Sequence, residues 1–178
     1  MKKTKIYIGL GVIVIALALF LYKANFSQMS LGVTSETKNG LVYQQLEKLK
    51  TVDSTIALDQ VKGSYFLLHF WAKWCEPCAE EIPHLVEFAK QVPFKVLAVS
   101  LDPTLEESKK ILPHEGKSLP ANFILILDSA HQMAEAMGSY QYPETYLIDP
   151  QGKILEKWVG SQKWDQPEVL EFFKQKTQ

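Results

Sequence analysis

Apolar and polar positions follow one another along this chain in patterns that predict strands and helices in alternation. Runs of consecutive apolar residues, typical of strands buried on both faces, occupy positions 65–71, 94–100 and 123–127. Apolar residues at helical spacing occupy positions 76–90, 105–112 and 131–137. A strand, a helix and a second strand in this order are typical of an α/β domain.

The carboxyl-terminal part of the chain predicts a hairpin followed by a helix. Two strand-like stretches, 145–149 and 153–159, are joined by a turn at Pro150–Gly152. Residues 166–176 have an amphipathic pattern, and Pro167 is tolerated in the first turn of a helix. Together with the βαβ-like start, the hairpin predicts a mixed central sheet flanked by helices.

The amino terminus differs in kind from the rest of the chain. Three lysines within residues 1–5 precede an uninterrupted apolar run over residues 6–22. As a helix this run would be about 25 Å long, near the lower limit for crossing a bilayer. Only Lys23 follows the run closely, and this charge asymmetry favours a cytoplasmic amino end. We therefore predict a transmembrane anchor at 6–22 with the remainder on the extracytoplasmic (periplasmic) side.

A cleaved signal peptide is the alternative interpretation of the same run. Ala16-Leu17-Ala18 resembles a small-residue cleavage site. However, the apolar residues continue to Tyr22, well past that site, which favours an uncleaved anchor. Under both interpretations the rest of the chain is exported.

Residues 23–51 are predicted to be a linker, and residues 52–178 the folded domain. Up to about residue 40 the linker is polar and small, without any periodic pattern. Residues 41–49 are compatible with a short helix.

Composition narrows the classes of function. The chain has 178 residues, enough for one domain and an appendage, and its formal net charge is −1. The 19 basic residues are scattered, so nothing indicates a nucleic-acid partner. The chain contains two cysteines, Cys75 and Cys78, so no second pair is present that could stabilise the fold as a disulfide. The pair is therefore expected to have a chemical role rather than a structural one.

Cys75-Glu76-Pro77-Cys78 lies where the first predicted strand gives way to a helix. A thiolate at a helix amino terminus is stabilised by unpaired backbone N–H groups and by the helix dipole, so Cys75 is expected to be the attacking thiol. Cys78 is close enough to resolve the mixed disulfide that forms on Cys75.

Two other uses of the pair are less favoured. A structural disulfide closing so short a loop would restrict the unfolded chain little. A zinc site would need a second paired-ligand motif, which the four histidines do not provide. We predict no metal and no cofactor.

Two segments resemble a known family. Lys62–Cys78 is similar to the active-site segment of thioredoxin-like proteins, and within them to the exported TlpA, ResA and DsbE/CcmG family. Residues 138–149, followed by Gly152–Ile154, are similar to the cis-proline segment of that family. Their Pro-Glu-Thr triplet is nearest to the cytochrome c maturation members. The resemblance covers roughly residues 52–178 and implies a thioredoxin-like fold.

The resemblance also implies a substrate-binding side of the site. Pro143 would be the cis-proline beside the disulfide, turning the backbone of Tyr142 outward to pair with an extended substrate. Without the family, an ordinary trans proline opening a strand is the simpler interpretation. Glu144 would line the groove and contact a partner, although an exposed glutamate at a strand end needs no function. Trp74 would shield the thiols and provide an apolar surface that the substrate contacts.

Two further residues are candidates for proton transfer. Glu81 lies three residues after Cys78 on the same helix face, and the family has an acid there that is thought to exchange protons with the thiols. A solvated helix residue, like Glu80, is the alternative. His69 departs from the family, which carries an acid or an asparagine at this position. A histidine in a buried strand is more often a hydrogen-bonded core residue than a catalyst, and the alternative is a neutral imidazole beneath Cys78 that moves protons during exchange.

The resemblance implies a protein-disulfide reductase for exported proteins. Apocytochrome c would be the substrate, and a membrane protein would supply electrons. One alternative is an oxidase or general exchanger of the same fold, distinguished by its reduction potential. Another is a thiol-based metal-delivery protein, which the Cys-x-x-Cys spacing argues against.

Overall fold

The computed structural model of the protein describes residues 42–43, 60–113 and 119–177. The strands are β1 Phe66–Trp71, β2 Lys95–Ser100, β3 Phe123–Leu127, β4 Glu144–Ile148 and β5 Ile154–Val159. The helices over four residues long in these ranges are α1 Glu76–Ala89, α2 Leu105–Lys109, α3 Gln132–Ala136 and α4 Pro167–Lys176.

The strands form one mixed sheet in the order β3-β2-β1-β4-β5. β1 is central, pairing in parallel with β2 and antiparallel with β4. Every residue of β1 is buried, as its unbroken apolar run predicts for a strand covered on both faces. The predicted α/β architecture with a mixed central sheet is confirmed.

Aromatic contacts show which elements cover each face of the sheet. Phe173 of α4 contacts Trp158 of β5 and Phe88 of α1, with ring centroids 5.6 and 5.1 Å apart. Helices α1 and α4 therefore share one face. On the other face the Tyr146 hydroxyl lies 3.4 Å from the carbonyl oxygen of Met137, just after α3. The domain thus has three layers, helix, sheet and helix.

Helix α2 is shorter than the predicted segment 105–112. Thr104 caps its start, accepting a hydrogen bond from the Glu107 N–H at 3.3 Å. Leu112 precedes Pro113, and a residue before proline is disfavoured in the helical conformation. The helix is therefore not expected to extend to Leu112; it ends at Lys109, and the Lys110 N–H donates to the Glu107 carbonyl at 3.2 Å.

Two residues of the predicted linker belong to the packed domain. Val42 is fully buried in the hydrophobic core. The Tyr43 ring stacks on Phe66 with centroids 6.3 Å apart, and its hydroxyl donates to the Pro150 carbonyl at 2.9 Å. The domain therefore includes residues upstream of the predicted start at 52. The isolated apolar positions of this stretch were too few to predict such packing.

The predicted segments 1–5 and 6–22 lie outside the described residues, as does most of 23–51. Among the helices that the structure does describe, none combines the length and the apolar character that a bilayer crossing requires.

Gly152 is expected to be sensitive to alanine substitution. Its φ is +79°, and an added Cβ would lie 2.7 Å from a ring carbon of Tyr43. We expect Gly152→Ala to lower the free energy of unfolding by about 2–4 kcal/mol, from left-handed backbone strain plus overpacking. Gly138→Ala is the matched control, since φ there is +66° and no atom lies within 4 Å of the added Cβ. Equal losses in urea denaturation would contradict the packing of Tyr43 on this turn.

Candidate active site

A disulfide between Cys75 and Cys78 lies at the amino terminus of α1. The sulfurs are 2.09 Å apart, with the Cα atoms separated by 5.2 Å. Cys75 caps the helix, and its Sγ accepts a hydrogen bond from the Cys78 N–H at 3.4 Å. Cys75 is 7% exposed, whereas Cys78 is fully buried. Cys75 is therefore the more accessible residue of the pair.

A buried carboxylate fixes the loop between β1 and α1. Both oxygens of Asp102 accept the Lys73 backbone N–H at 3.0 Å, and one accepts the Ser100 hydroxyl at 2.9 Å. The Cys75 N–H donates to the Ala72 carbonyl at 3.2 Å. Asp102 thus holds the turn that presents Cys75.

Glu81 is buried on the inner side of α1, with 2% of its surface exposed. Its Oε1 accepts hydrogen bonds from the Gln162 backbone N–H at 3.1 Å and from the Trp164 indole N–H. Its Oε2 is buried and has no hydrogen-bond partner among the described residues. Burial raises the pKa of Glu81 to about 7, although the two hydrogen bonds lower it. The alternative of a solvated helix residue is thereby excluded.

Trp164 is the site residue that the sequence analysis missed. It follows β5 in an irregular stretch, with 1% of its surface exposed. No motif marks it, and 83 residues separate it from Glu81. An isolated tryptophan in a polar Gln162–Asp165 stretch was the only available signal.

His69 lies in the middle of β1 and is fully buried. Its Nδ1 is 2.8 Å from the Thr145 hydroxyl, and its Nε2 has no partner in the described ranges. Thr145 in turn pairs with Trp158, so His69 is on the sheet face that α1 and α4 cover. Burial lowers the pKa of His69 to about 3, which keeps the imidazole neutral near pH 7. Its part in proton transfer stays a prediction.

The Tyr142–Pro143 peptide bond is cis. Pro143 is buried, and its carbonyl accepts the Gly160 N–H at 2.8 Å. The half-buried Tyr142 ring meets Trp74 edge-on, with centroids 6.1 Å apart. Trp74 is 61% exposed. The contact between these two rings brings the Pro143 loop beside the turn that carries Cys75.

Glu144 is not the exposed strand-end residue that its position suggested. Only 2% of its surface is exposed. Its Oε1 lies 2.8 Å from the Lys157 ammonium, and its Oε2 accepts the Tyr146 hydroxyl at 3.0 Å. The Lys157 ammonium also lies 5.1 Å from the Tyr146 ring centroid. β4 begins at Glu144 between β1 and β5, and this central position buries the side chain. Substrate contact by Glu144 stays a prediction.

The Glu144–Lys157 pair gives a test of this burial. We expect Lys157→Met to lower the free energy of unfolding by about 3 kcal/mol, because the Glu144 carboxylate stays buried without its cation. The double variant Lys157→Met with Glu144→Gln should recover at least half of the loss in denaturant titrations. A loss below about 1 kcal/mol in the single variant is typical of a solvated surface pair and would contradict the described packing.

The other described histidines have partners within the domain. His84 Nδ1 lies 3.2 Å from an Asp165 oxygen, and His131 Nε2 lies 3.1 Å from the Leu101 carbonyl oxygen. Across residues 42–43, 60–113 and 119–177, no three His, Cys, Asp or Glu side chains gather as metal ligands. The contacts of both histidines are thus hydrogen bonds within the fold.

Comparison with known proteins agrees with this geometry. The AhpC/TSA family profile matches residues 43–157. The chain is a member of the AhpC/TSA family. Within the family it is 30% identical over 165 residues to the thiol-disulfide oxidoreductase ResA of Bacillus subtilis, covering 90% of this chain and 88% of ResA. Similarity to ResA of Bacillus anthracis is 26% over 174 residues, 94% of this chain and 95% of the relative.

Solved structures of family relatives share the fold. The exposed lipoprotein thioredoxin Etrx1 of Streptococcus pneumoniae is 25% identical, with a TM-score of 0.53 over 66% of this chain and 88% of that one. StoA of Bacillus subtilis, at 24% identity, matches with a TM-score of 0.52 over 63% and 84% of the chains and supports the fold alone. This AhpC/TSA family member has a thioredoxin-like fold and is a thiol–disulfide oxidoreductase of the ResA/DsbE type.

Proposed function

We propose that this enzyme is a reductant of disulfides in exported proteins. The observation that carries the proposal is the pairing of an accessible Cys75 with a buried Cys78 at the start of α1. The more exposed cysteine of a pair can form the mixed disulfide with a protein, while the fully buried one is left to resolve it. Glu81, buried one helical turn after Cys78, supplies a proton acceptor with a pKa of about 7.

The proposed reaction transfers two electrons to the substrate disulfide. The Cys75 thiolate attacks one substrate sulfur, and the other substrate sulfur leaves as a thiolate. Cys78 then gives its proton to Glu81 and attacks Cys75, which forms the Cys75–Cys78 disulfide and releases the second substrate sulfur. The two released thiolates take up protons, so the substrate gains two electrons and two protons and the enzyme is left oxidised.

Exposed apolar residues near the turn that carries Cys75 and near the Pro143 loop support a protein substrate. The large apolar residues most exposed among those described are Trp74 at 61%, Tyr140 at 72% and Val159 at 48%. Trp74 contacts Tyr142, two residues from Tyr140, and Val159 pairs with Glu144 next to Pro143. Exposed aromatic groups beside a reactive group are typical of a contact surface for another chain.

The proposed substrate is apocytochrome c, and the proposed setting is the extracytoplasmic face of the membrane. Residues 143–145 resemble the Pro-Glu-Thr triplet of cytochrome c maturation proteins, and the relative Etrx1 is described as an exposed lipoprotein. The apolar run 6–22 would anchor the chain, with residues 1–5 in the cytoplasm. A membrane protein would return the Cys75–Cys78 pair to its reduced form.

Substrate preference tests this proposal. The reduced protein would be mixed with oxidised peptides carrying the Cys-x-x-Cys-His haem-attachment motif and, separately, with insulin. We expect reduction of the haem-motif peptide to be at least about tenfold faster, which corresponds to about 1.4 kcal/mol of preferential binding. Equal rates would indicate a general exchanger and would contradict apocytochrome c as the dedicated substrate.

A further inference from the structure

The segment 160–165 lies along α1 and contacts it at three successive levels. The Ser161 hydroxyl donates to the Pro77 carbonyl at 3.1 Å. Gln162 and Trp164 both donate to Glu81, and the Asp165 carboxylate lies 3.2 Å from His84. The helix residues contacted are 77, 81 and 84, which follow the spacing of one helix face. The segment therefore covers the face of α1 that carries Glu81.

The Trp164 side chain is fixed by aromatic neighbours from three elements. Its ring centroid lies 5.4 Å from that of Phe88, and 6.1 Å from those of Trp158 and Phe173. An indole has a single N–H donor and no acceptor. Because the ring is held on several sides, that donor is directed at Glu81 without the freedom of an exposed side chain.

The two oxygens of Glu81 are consequently inequivalent. Oε1 accepts both hydrogen bonds, whereas Oε2 is buried and has no partner among the described residues. A proton on Oε1 would displace one of two donors, while a proton on Oε2 displaces none. Oε2 is thus the oxygen on which a proton is gained and lost at the lower cost.

We infer that Trp164 is a positioning residue for thiol–disulfide exchange, holding Oε1 of Glu81 so that Oε2 takes the proton of Cys78. The inference rests on the proposed role of Glu81 as proton acceptor. In the resolving step the Cys78 proton moves to Oε2, the Cys75–Cys78 bond forms, and the bond from Cys75 to the substrate sulfur breaks. The substrate sulfur leaves as a thiolate, and Oε2 later returns the proton to solvent or to that sulfur.

Trp164 also stabilises the charged form of the acid. Its hydrogen bond is the larger of the two that lower the pKa of Glu81 against the effect of burial. The titratable or charged groups near Glu81 include Cys78 and His84 on the same side of α1, Lys163 and Asp165 on the covering segment, and His69 on the sheet face that α1 covers. His84 and Asp165 are exposed and pair with each other. Loss of the indole N–H should therefore raise the pKa of Glu81.

The test is the pH dependence of the resolving step in Trp164→Phe. Reduced protein is mixed with the chromogenic disulfide dithiobis(nitrobenzoate) in a stopped-flow instrument, and the second phase of thiolate release reports attack by Cys78. We expect the midpoint of the pH–rate profile to rise by roughly one pH unit, which slows this phase about fivefold at pH 7. The first phase, attack by Cys75, should change little.

Trp158→Phe is the matched control. It removes another indole from the same aromatic cluster, one that contacts Trp164 and Phe173 but is not a donor to Glu81 in the described contacts. Its midpoint should stay at the parent value. An unchanged midpoint in Trp164→Phe, or an equal rise in Trp158→Phe, would overturn the positioning role.

Two further measurements separate this inference from the proposed function. In the unsubstituted protein, the indole N–H resonance of Trp164 should titrate with the same midpoint as the resolving step, and Glu81→Gln should abolish that titration. A Trp164 resonance that does not respond to pH overturns the inference even where Trp164→Phe fails to fold. A resolving step whose pH profile survives in Glu81→Gln removes Glu81 as proton acceptor, and the inference with it.

Discussion

Replacing Cys75 with serine is expected to reduce disulfide-reductase activity to the uncatalysed background. Cys75 is the more exposed residue of the pair, and it caps α1 where backbone N–H groups favour its thiolate. A serine hydroxyl at this position is a poor nucleophile toward sulfur near neutral pH. Reduction of insulin or of a haem-motif peptide, followed with the full chain, measures the loss.

Replacing Cys78 with serine separates the two steps of the reaction. Cys75 should still attack at close to the parent rate, but the mixed disulfide should persist because no second thiol can resolve it. Mass spectrometry of the intact protein should show one substrate molecule per chain, released by dithiothreitol. Activity retained in Cys75→Ser, or accumulation of mixed disulfide on Cys78 instead, would falsify the assigned order of attack.

Replacing Glu81 with glutamine is expected to stabilise the oxidised protein at alkaline pH. Burial raises the pKa of Glu81 to about 7, above its ordinary value of 4.5, so ionisation costs more in the folded than in the unfolded state. Below about pH 4.5 Glu81 is neutral in both the folded and the unfolded state, and its full contribution to the free energy of unfolding is present. That contribution is lost as the pH rises through 7, because the buried carboxyl must then ionise. At pH 8 we expect a gain of about 2–3 kcal/mol in the free energy of unfolding, and at pH 4 almost none. Denaturant titrations at both pH values measure the difference.

Glu80→Gln is the matched control, since Glu80 is the exposed neighbour of Glu81 on the same helix. It should change the stability by less than about 0.5 kcal/mol at either pH. Equal effects of the two substitutions would contradict the burial of Glu81. We expect Glu81→Gln to be more stable than the parent protein but slower in resolving the mixed disulfide. Such a trade of stability for activity is typical of a buried active-site residue.

The fold was predictable where the pattern was long and unbroken. The apolar run at 65–71 became the central strand, and the periodic segment 76–90 became α1 with nearly the predicted ends. The local pattern of apolar residues did not predict the structure where contacts between distant segments determine it. The helical pattern at 41–49 does not separate a helix within a linker from one packed on the domain, and only the burial of Val42 and the contact of Tyr43 with Phe66 reveal that these residues belong to the domain.

The site was predictable only as far as its motifs extend. Cys75 and Cys78 follow from their spacing between a strand and a helix. The burial of Glu81 depends on Trp164, and that of Glu144 on Lys157 and Tyr146. Trp164 lies 83 residues from Glu81, and sequence spacing says nothing about contacts between such distant segments. Lys157 and Tyr146 lie in the predicted hairpin, but the pattern alone does not show that their side chains meet Glu144.

The midpoint potential of the Cys75–Cys78 pair tests the central claim most directly. A protein that reduces exported substrates must hold its electrons less tightly than the disulfides it attacks, so its midpoint must be low. Equilibration of the purified protein with defined dithiothreitol or glutathione buffers gives the value. We predict a midpoint at or below about −230 mV, in the range of reducing thioredoxins and glutaredoxins. A midpoint above about −150 mV, in the range of strongly oxidising relatives, would contradict a reductant and identify an oxidase.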